Sequence, residues 1–224
     1  MLFRSHEIEG VKRIRFGSLE PRVITEEFTK ELAKLDKICP HFHLSLQSGC
    51  DETLKRMNRH YTAEEYYTGC EILRKYFKNP AITTDVIVGF AGETEEEFET
   101  TKEFLKKVNF YEMHVFKYSR RAGTRADKMP NQVPEQIKTK RSAELLALEA
   151  EMSKNYRASF LGTETEVLLE EPVTINGQKY MIGHTKEYVK VVVPFDENSS
   201  ELTKNSFVTG VMKEFLTEEV IKLA

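Results

Sequence analysis

The amino-acid sequence predicts a partial α/β barrel of parallel strands followed by a small antiparallel β-barrel. Strand-like and helix-like segments alternate four times in the first part of the chain, with short connections between them. Such alternation is typical of a parallel sheet covered by helices. After about residue 161, several short strand-like segments follow within about 60 residues, which is typical of a small β-barrel. We therefore predict two domains, at residues 1–160 and 161–224.

Local signals define the elements of the first domain. Thr25 precedes two glutamates, a pattern that favours a helix start, and Thr62 has the capping-box spacing with Glu65. Residues 83–90 are almost continuously apolar, as expected for a strand covered on both faces. The predicted strands are residues 11–18, 41–47, 83–90 and 112–118, and the predicted helices are residues 25–36, 62–77, 95–107 and 134–159.

The second domain has the pattern of a meander of short strands. Asn176-Gly177 is a hairpin turn signal. Residues 159–224 hold 6 lysines and arginines against 11 acidic residues, a net charge of −5, which speaks against RNA binding by this domain alone. The predicted strands are residues 164–170, 178–182, 188–193 and 206–215.

The composition indicates a soluble globular chain. Hydrophobic residues make up 40% and charged residues 31%, and the formal net charge of −3 excludes a uniformly basic nucleic-acid binder. No apolar run has the length of a membrane span, and the first ten residues lack the apolar region of a secretion signal. We therefore expect a cytoplasmic protein without a membrane partner. The cysteines at 39, 50 and 70 have no metal-site spacing and are expected to be reduced and buried.

One segment is strongly basic. Residues 117–141 hold eight lysines and arginines against two acidic residues, a net charge of +6. Such a segment is either a solvated helix face or a surface that contacts phosphates, and the composition alone leaves both open.

Polar and glycine-rich residues follow each predicted strand, at residues 18–21, 47–49, 89–93 and 118–121. Because ligands bind at the carboxyl ends of strands in parallel sheets, we predict a binding site there. The glycines alone are weak signals, since turns often need them for steric reasons, and no GxGxxG fingerprint is present. His41 and His43 share one strand face, and we interpret them as a packed pair rather than metal ligands. Asp85, inside an apolar strand, is either paired structurally or functional.

Several motifs together resemble the radical S-adenosylmethionine tRNA methylthiotransferases. They are SLEP at 18–21, HLSLQSGCDETLKRMNRHYT at 43–62, TDVIVGFAGETEEEFETT at 84–101 and HVFKYSRRAGTRA at 114–126. GHTKEYVKV at 183–191 resembles the OB-like TRAM domain that ends those enzymes. SLEP together with SLQSGCD is most similar to the branch that acts on threonylcarbamoyladenosine beside the anticodon.

The resemblance implies a reaction, its cofactors and its binding residues. A 4Fe–4S cluster reduces S-adenosylmethionine, the resulting radical removes hydrogen from C2 of the adenine, and a methylthio group is inserted with the support of a second cluster. It implies tRNA as partner, with no catalytic residue or metal ligand in this part of the enzyme. The implied cofactor contacts are Gln47, Ser48, Arg59, Asp85, Gly89 and Tyr118, and the implied RNA contacts are Arg120, Arg121, Arg125, Lys128 and Lys186.

The sequence departs from the family pattern in one respect. The CxxxCxxC motif that holds the radical cluster is absent from these 224 residues. We therefore interpret the chain as the C-terminal half of a longer enzyme and expect it to be inactive alone. An exposed sheet edge at residues 11–18 predicts self-association. The alternatives are a radical enzyme with another substrate and a non-catalytic RNA-binding module. A hydrolase is disfavoured because no convincing acid–base pair stands at the strand ends.

Overall fold

The computed structural model describes residues 2–195 and 202–224. The first domain contains helices and parallel strands, and the second contains strands. The helices are α1 (Leu2–Glu7), α2 (Glu26–Leu32), α3 (Asp51–Arg56), α4 (Ala63–Tyr76), α5 (Glu95–Val108) and α6 (Glu135–Ala158). The strands are β1 (Ser18–Leu19), β2 (His41–Leu44), β3 (Ala81–Val88), β4 (Glu112–Lys117), β5 (Glu164–Ile175), β6 (Gln178–His184), β7 (Lys190–Pro194), β8 (Phe207–Phe215) and β9 (Ile221–Leu223).

Strands β1 to β4 form one parallel sheet in sequential order. One face of this sheet packs under the helices and forms the main core, which includes Phe42, Leu44, Ile82, Val86 and Met113. The opposite face, which we call the open face, carries partly exposed polar residues instead. Such a face would line the interior if further strands closed the barrel. The predicted parallel sheet with covering helices is therefore confirmed.

The start of α4 is capped as the sequence predicts. The backbone N–H of Glu65 donates to Thr62 Oγ1 at 3.1 Å, and the backbone N–H of Thr62 donates to Glu65 Oε2 at 2.8 Å. Thr94 and Glu97 repeat this capping box at the start of α5. These reciprocal bonds satisfy donors that a helix start would otherwise leave open. They fix where the two helices begin: α5 directly follows the turn after β3, and α4 follows α3.

The predicted strand at residues 11–18 is mostly wrong. Only Ser18–Leu19 pairs as a strand with β2, and Ile14 makes a single isolated bridge to Ile38. The physical reason is that basic side chains of this segment are bound by the second domain: the Arg13 guanidinium donates to the His184 carbonyl at 2.7 Å. Helices α1 and α3 and strand β9 were not predicted; each has seven residues or fewer.

The second domain is a closed barrel with strand order β5-β6-β7-β9-β8. All neighbouring pairs are antiparallel except β7 and β9, which are parallel. Gly183 in β6 must be a glycine, since a Cβ there would lie 2.1 Å from the Leu168 carbonyl oxygen. The predicted small β-barrel is confirmed. The barrel interior is formed mainly by Val167, Leu169, Met181, Val191, Met212 and Ile221.

The barrel packs against the amino ends of the parallel strands. Ala81 and Tyr111, at the starts of β3 and β4, belong to the same core cluster as Val189 of the barrel. Helix α6 ends at Ala158 and β5 begins at Glu164, on either side of the predicted domain boundary. The carboxyl ends of the strands therefore face away from the barrel. Within the described residues, the helices are all too short or too polar to cross a membrane.

Candidate functional site

The carboxyl ends of β2, β3 and β4 bring Gln47, Gly89 and Tyr118 to one edge of the sheet, which we call the rim. Gln47 is buried and has a left-handed backbone with φ of 70°. Its N–H donates to the Asp85 carbonyl at 2.8 Å, and its own carbonyl accepts from the Ile87 N–H at 2.9 Å. The chain after β2 is thereby held alongside β3, although β2 itself ends at Leu44 rather than at the predicted residue 47.

The turn after β3 is built on Gly89. Its φ is +71°, and a Cβ at this position would lie 2.3 Å from Lys138 Cγ. The Gly89 N–H donates to Glu93 Oε2 at 2.7 Å. That carboxylate also accepts from the Arg141 guanidinium at 2.8 Å, and both side chains are almost fully buried. Burial raises the pKa of Glu93, while its bonds to Gly89 and Arg141 act in the opposite direction.

Tyr118 follows β4 and forms a wall of the rim. Its N–H donates to the Val88 carbonyl at 2.9 Å, and its ring packs edge-to-face on Phe90 with centroids 4.9 Å apart. The Tyr118 hydroxyl is buried and lacks a hydrogen-bond partner among the described residues. A cleft of ≈ 430 Å³, the rim cleft, lies here and is lined in part by Tyr118, Ile87 and Arg121. Its size is within the usual range for small-molecule sites.

Tyr118 lines the rim cleft, whereas the other five predicted cofactor contacts do not. Ser48 is fully buried, and its hydroxyl lies 3.1 Å from Thr101 Oγ1 of helix α5. Arg59 is exposed in the loop after α3 and has no ion pair among the described residues. Asp85 lies on the open face, where its carboxylate lies 3.2 Å from His43 Nε2. Their contact with a cofactor stays a prediction, and the fully buried side chain of Ser48 does not favour it.

The basic segment has fewer free charges than its composition indicates. Lys138 and Arg141 are buried: Lys138 Nζ donates to the Tyr118 carbonyl at 2.9 Å, and Arg141 pairs with two glutamates. Arg120 pairs with Asp127 at 2.9 Å, and Lys117 and Lys140 also have carboxylate partners. In the described part of the chain, the exposed cations of this segment without an ion pair are Arg121, Arg125 and Lys128.

Lys186 lies on the other side of the molecule, at the interface between the domains. Its ammonium donates to the Asp36 carbonyl at 3.1 Å. The β6–β7 turn that carries it also stacks Tyr188 on His184, with ring centroids 4.1 Å apart. His41 packs against Tyr188, and burial with the nearby Arg15 lowers its pKa to about 4. This turn therefore has a clear structural role, and an RNA contact by Lys186 stays a prediction.

Comparisons with known proteins agree with the motifs. Residues 2–105 match the family model described as the radical SAM superfamily. The chain is 44% identical over 186 residues to the threonylcarbamoyladenosine tRNA methylthiotransferase of Bacillus subtilis, which covers 83% of this chain and 41% of that protein. It is 36% identical over 221 residues to the tRNA-2-methylthio-N(6)-dimethylallyladenosine synthase of Finegoldia magna. The aligned residues cover 99% of this chain and 48% of that protein.

A solved structure shares the fold. Coproporphyrinogen III oxidase from Escherichia coli, a radical SAM enzyme, superposes with a TM-score of 0.52 over 62% of this chain and 32% of the oxidase, at 21% identity. At this identity the likeness concerns the fold alone, and it supports a partial radical SAM barrel. The chain spans less than half the length of the relatives it matches.

Proposed function

Because this chain belongs to the radical S-adenosylmethionine tRNA methylthiotransferase family, we propose that it is the half of such an enzyme that carries the second part of the barrel. The complete enzyme would methylthiolate C2 of a modified adenosine beside the anticodon. The family implies S-adenosylmethionine and 4Fe–4S clusters as cofactors. The observation that supports the proposal most is the rim cleft, which lies at the end of β4 beside Ile87 of β3 and is lined by the predicted cofactor contact Tyr118.

S-adenosylmethionine fits the rim through groups of this chain. Lys138 occupies the side of Gly89 where a side chain would project, so Gly89 shapes the turn and its contact with adenine stays a prediction. The buried Tyr118 hydroxyl has a donor to offer, and the Gln47 side chain can bind polar groups of the cofactor. When bound and reduced, S-adenosylmethionine supplies a radical that removes hydrogen; the residues here hold and orient it.

The clusters do not fit this chain. Cys39, Cys50 and Cys70 are buried free thiols in separate segments, because Cys39 precedes β2, Cys50 precedes α3 and Cys70 lies in α4. Burial raises the pKa of the Cys39 and Cys70 thiols. A 4Fe–4S cluster needs closely placed thiolates. The ligands must therefore come from the part of the relatives that this chain does not cover, and the chain alone is proposed to be inactive.

Transfer RNA is the proposed substrate. Arg121 lines the rim cleft, and Arg125 and Lys128 follow it in the same exposed loop. Phosphate contacts there would bring a nucleotide beside the cofactor. The relative named for threonylcarbamoyladenosine is 44% identical to this chain, and a relative named for dimethylallyladenosine is 42% identical, so identity alone does not choose between the two substrates. SLEP at 18–21 together with SLQSGCD at 45–51 favours threonylcarbamoyladenosine as the substrate.

We also assign residues 161–224 as a TRAM domain and place the protein in the cytoplasm. The segment that resembles TRAM spans the end of β6, the following turn and the start of β7. Self-association through the sheet edge, predicted at residues 11–18, stays a proposal, although only the two residues of β1 form that edge in the structure.

A chimera tests the proposal. The part of the Bacillus subtilis relative that precedes the matched region is joined to this chain and expressed in a strain without methylthiotransferases. Mass spectrometry of tRNA nucleosides should detect 2-methylthio-N(6)-threonylcarbamoyladenosine. The matched control lacks the cluster cysteines of the joined part and should give none. If the chimera gives no product while the intact relative is active in the same strain, the proposed function is refuted. Product only on dimethylallyladenosine would refute the threonylcarbamoyladenosine branch. Product on another base would refute adenosine as the substrate.

The absence of CxxxCxxC favours one second candidate, a non-catalytic RNA-binding module. It predicts that this chain binds tRNA with the same affinity with and without S-adenosylmethionine, and that the chimera is inactive. Filter binding of tRNA, measured with and without S-adenosylmethionine, distinguishes the RNA-binding module from the enzyme.

A further inference from the structure

Three side chains with metal-binding donor atoms meet on the open face of the parallel sheet. His43 lies on β2, Asp85 on β3 and His114 on β4. One ligand atom from each lies within 4.8 Å of the other two. Asp85 and His114 are directly opposite each other in the β3–β4 ladder, and His43 is opposite Thr83, two residues before Asp85. Because side chains alternate along strands, all three project from the same face.

The distances suit a small metal ion. His43 Nε2 lies 3.2 Å from Asp85 Oδ2. Two ligands of a tetrahedral ion with bonds of about 2.0 Å are about 3.3 Å apart. His43 Nδ1 lies 2.9 Å from Thr83 Oγ1, and this bond holds the ring with Nε2 toward Asp85. Such a partner on the second ring nitrogen is the usual support of a metal-binding histidine.

His114 is the residue that a purely hydrogen-bonded cluster does not explain. Ser45, His43 and Asp85 already hydrogen-bond to one another. The His114 side chain is exposed and makes no hydrogen bond among the described residues, although its ring lies 5.8 Å from that of His43. An exposed imidazole can turn toward the pair without disturbing the core.

We propose that His43, Asp85 and His114 bind one divalent transition ion of the zinc or iron(II) class. Two imidazoles and one carboxylate are the donor set of open zinc and non-haem iron sites, whereas magnesium and calcium take oxygen ligands. The remaining coordination positions would face the interior side of the sheet, where water or a substrate group can occupy them. The site uses no cysteine. It shares Asp85 with the predicted cofactor contacts, but metal binding is tested without S-adenosylmethionine or tRNA.

Metal titration of the complete 224-residue chain tests the site. Metal-free protein is titrated with Zn²⁺ by calorimetry and with Co²⁺ by absorbance. One ion per chain should bind, and the cobalt spectrum should lack thiolate charge transfer. His114→Gln and the nearly isosteric Asp85→Asn should each weaken binding at least about 100-fold, beyond the tenfold to 100-fold loss typical of second-shell changes such as Thr83→Val.

The matched control is His60→Gln, because His60 is exposed and lies outside the cluster. It should bind the ion as the unchanged chain does. Circular dichroism of the metal-free variants checks folding, and His114→Gln alters an exposed position. Binding below one equivalent, binding unchanged in both His114→Gln and Asp85→Asn, or a thiolate band from cobalt would each overturn the proposal.

Discussion

Replacing Arg141 by methionine should destabilise the first domain strongly, because it leaves a buried carboxylate without its cation. The Arg141 and Glu93 side chains are 4% and 1% exposed, and their charged atoms lie 2.8 Å apart. Removing one partner of a buried ion pair costs about 3–5 kcal/mol, since the other charge stays desolvated. With a urea m-value of about 2–3 kcal/mol/M, the unfolding midpoint should fall by about 1–2 M.

Far-ultraviolet circular dichroism is the appropriate assay, because the helices of the described residues lie in the first domain. Two variants complete the measurement. Glu95→Gln removes the exposed partner of Arg141 and should cost less than about 1 kcal/mol. The double variant Glu93→Gln/Arg141→Met should lose less stability than Arg141→Met alone, since no charge is then buried. A loss below about 1 kcal/mol for Arg141→Met would refute the reasoning.

The pH dependence gives a second check on the same variant. Burial already raises the pKa of Glu93, and the loss of Arg141 should raise it further. A carboxyl whose folded pKa lies above its unfolded value favours folding below the unfolded pKa, and this contribution disappears as pH rises through the folded pKa. The loss of unfolding free energy caused by Arg141→Met should therefore be smaller at about pH 5 than at about pH 7.

Four further outcomes are expected. The double variant Arg121→Glu/Arg125→Glu should bind tRNA more weakly. The slope of log affinity against log salt concentration should become shallower by about one for each lost phosphate contact, which filter binding at several salt concentrations measures. Gly89→Ala should destabilise the fold by about 1–3 kcal/mol in urea unfolding, because its Cβ would meet Lys138 at a left-handed backbone position. Anaerobic reconstitution of this chain with iron and sulfide should give no 5′-deoxyadenosine from S-adenosylmethionine; stoichiometric release would contradict the proposed cluster location. Sedimentation should detect self-association, and a clean monomer with slow amide exchange at residues 11–17 would count against it.

Local sequence signals predicted the parts of the fold that local physics controls. The predicted helix start at Thr25 and the predicted capping box at Thr62 lie where the structure starts α2 and α4. The apolar run at 83–90 overlaps β3, although the strand begins two residues earlier. Helix caps and periodicity act within one turn or one strand, so a single sequence contains them. The strand predicted at residues 11–18 was mostly wrong, because this segment contacts the second domain, which is distant in sequence.

Long-range contacts explain what the sequence could not predict about the site. Ser48 looks like a ligand contact in sequence, but the placement of α5 buries its hydroxyl against Thr101. The net charge of the basic segment overstates its free cations because carboxylates such as Glu93 come from other elements. His114 meets Asp85 only through the register of β3 and β4. Alternation along each strand would have placed both on one face, but only the register puts them opposite each other.

The two-domain arrangement constrains how RNA can bind. Gly89 lies at the carboxyl end of the sheet, and Ala81, eight residues earlier, touches the barrel. At about 3.3 Å per residue, the rim and the barrel are separated by roughly 26 Å along β3. Under the proposed function, an anticodon nucleotide held at the rim near Arg121 would therefore be far from Lys186, whose ammonium already bonds to Asp36. If the barrel contacts tRNA, it must do so at a distant part of the same molecule, and charges at the rim rather than Lys186 should determine where the modified base is placed.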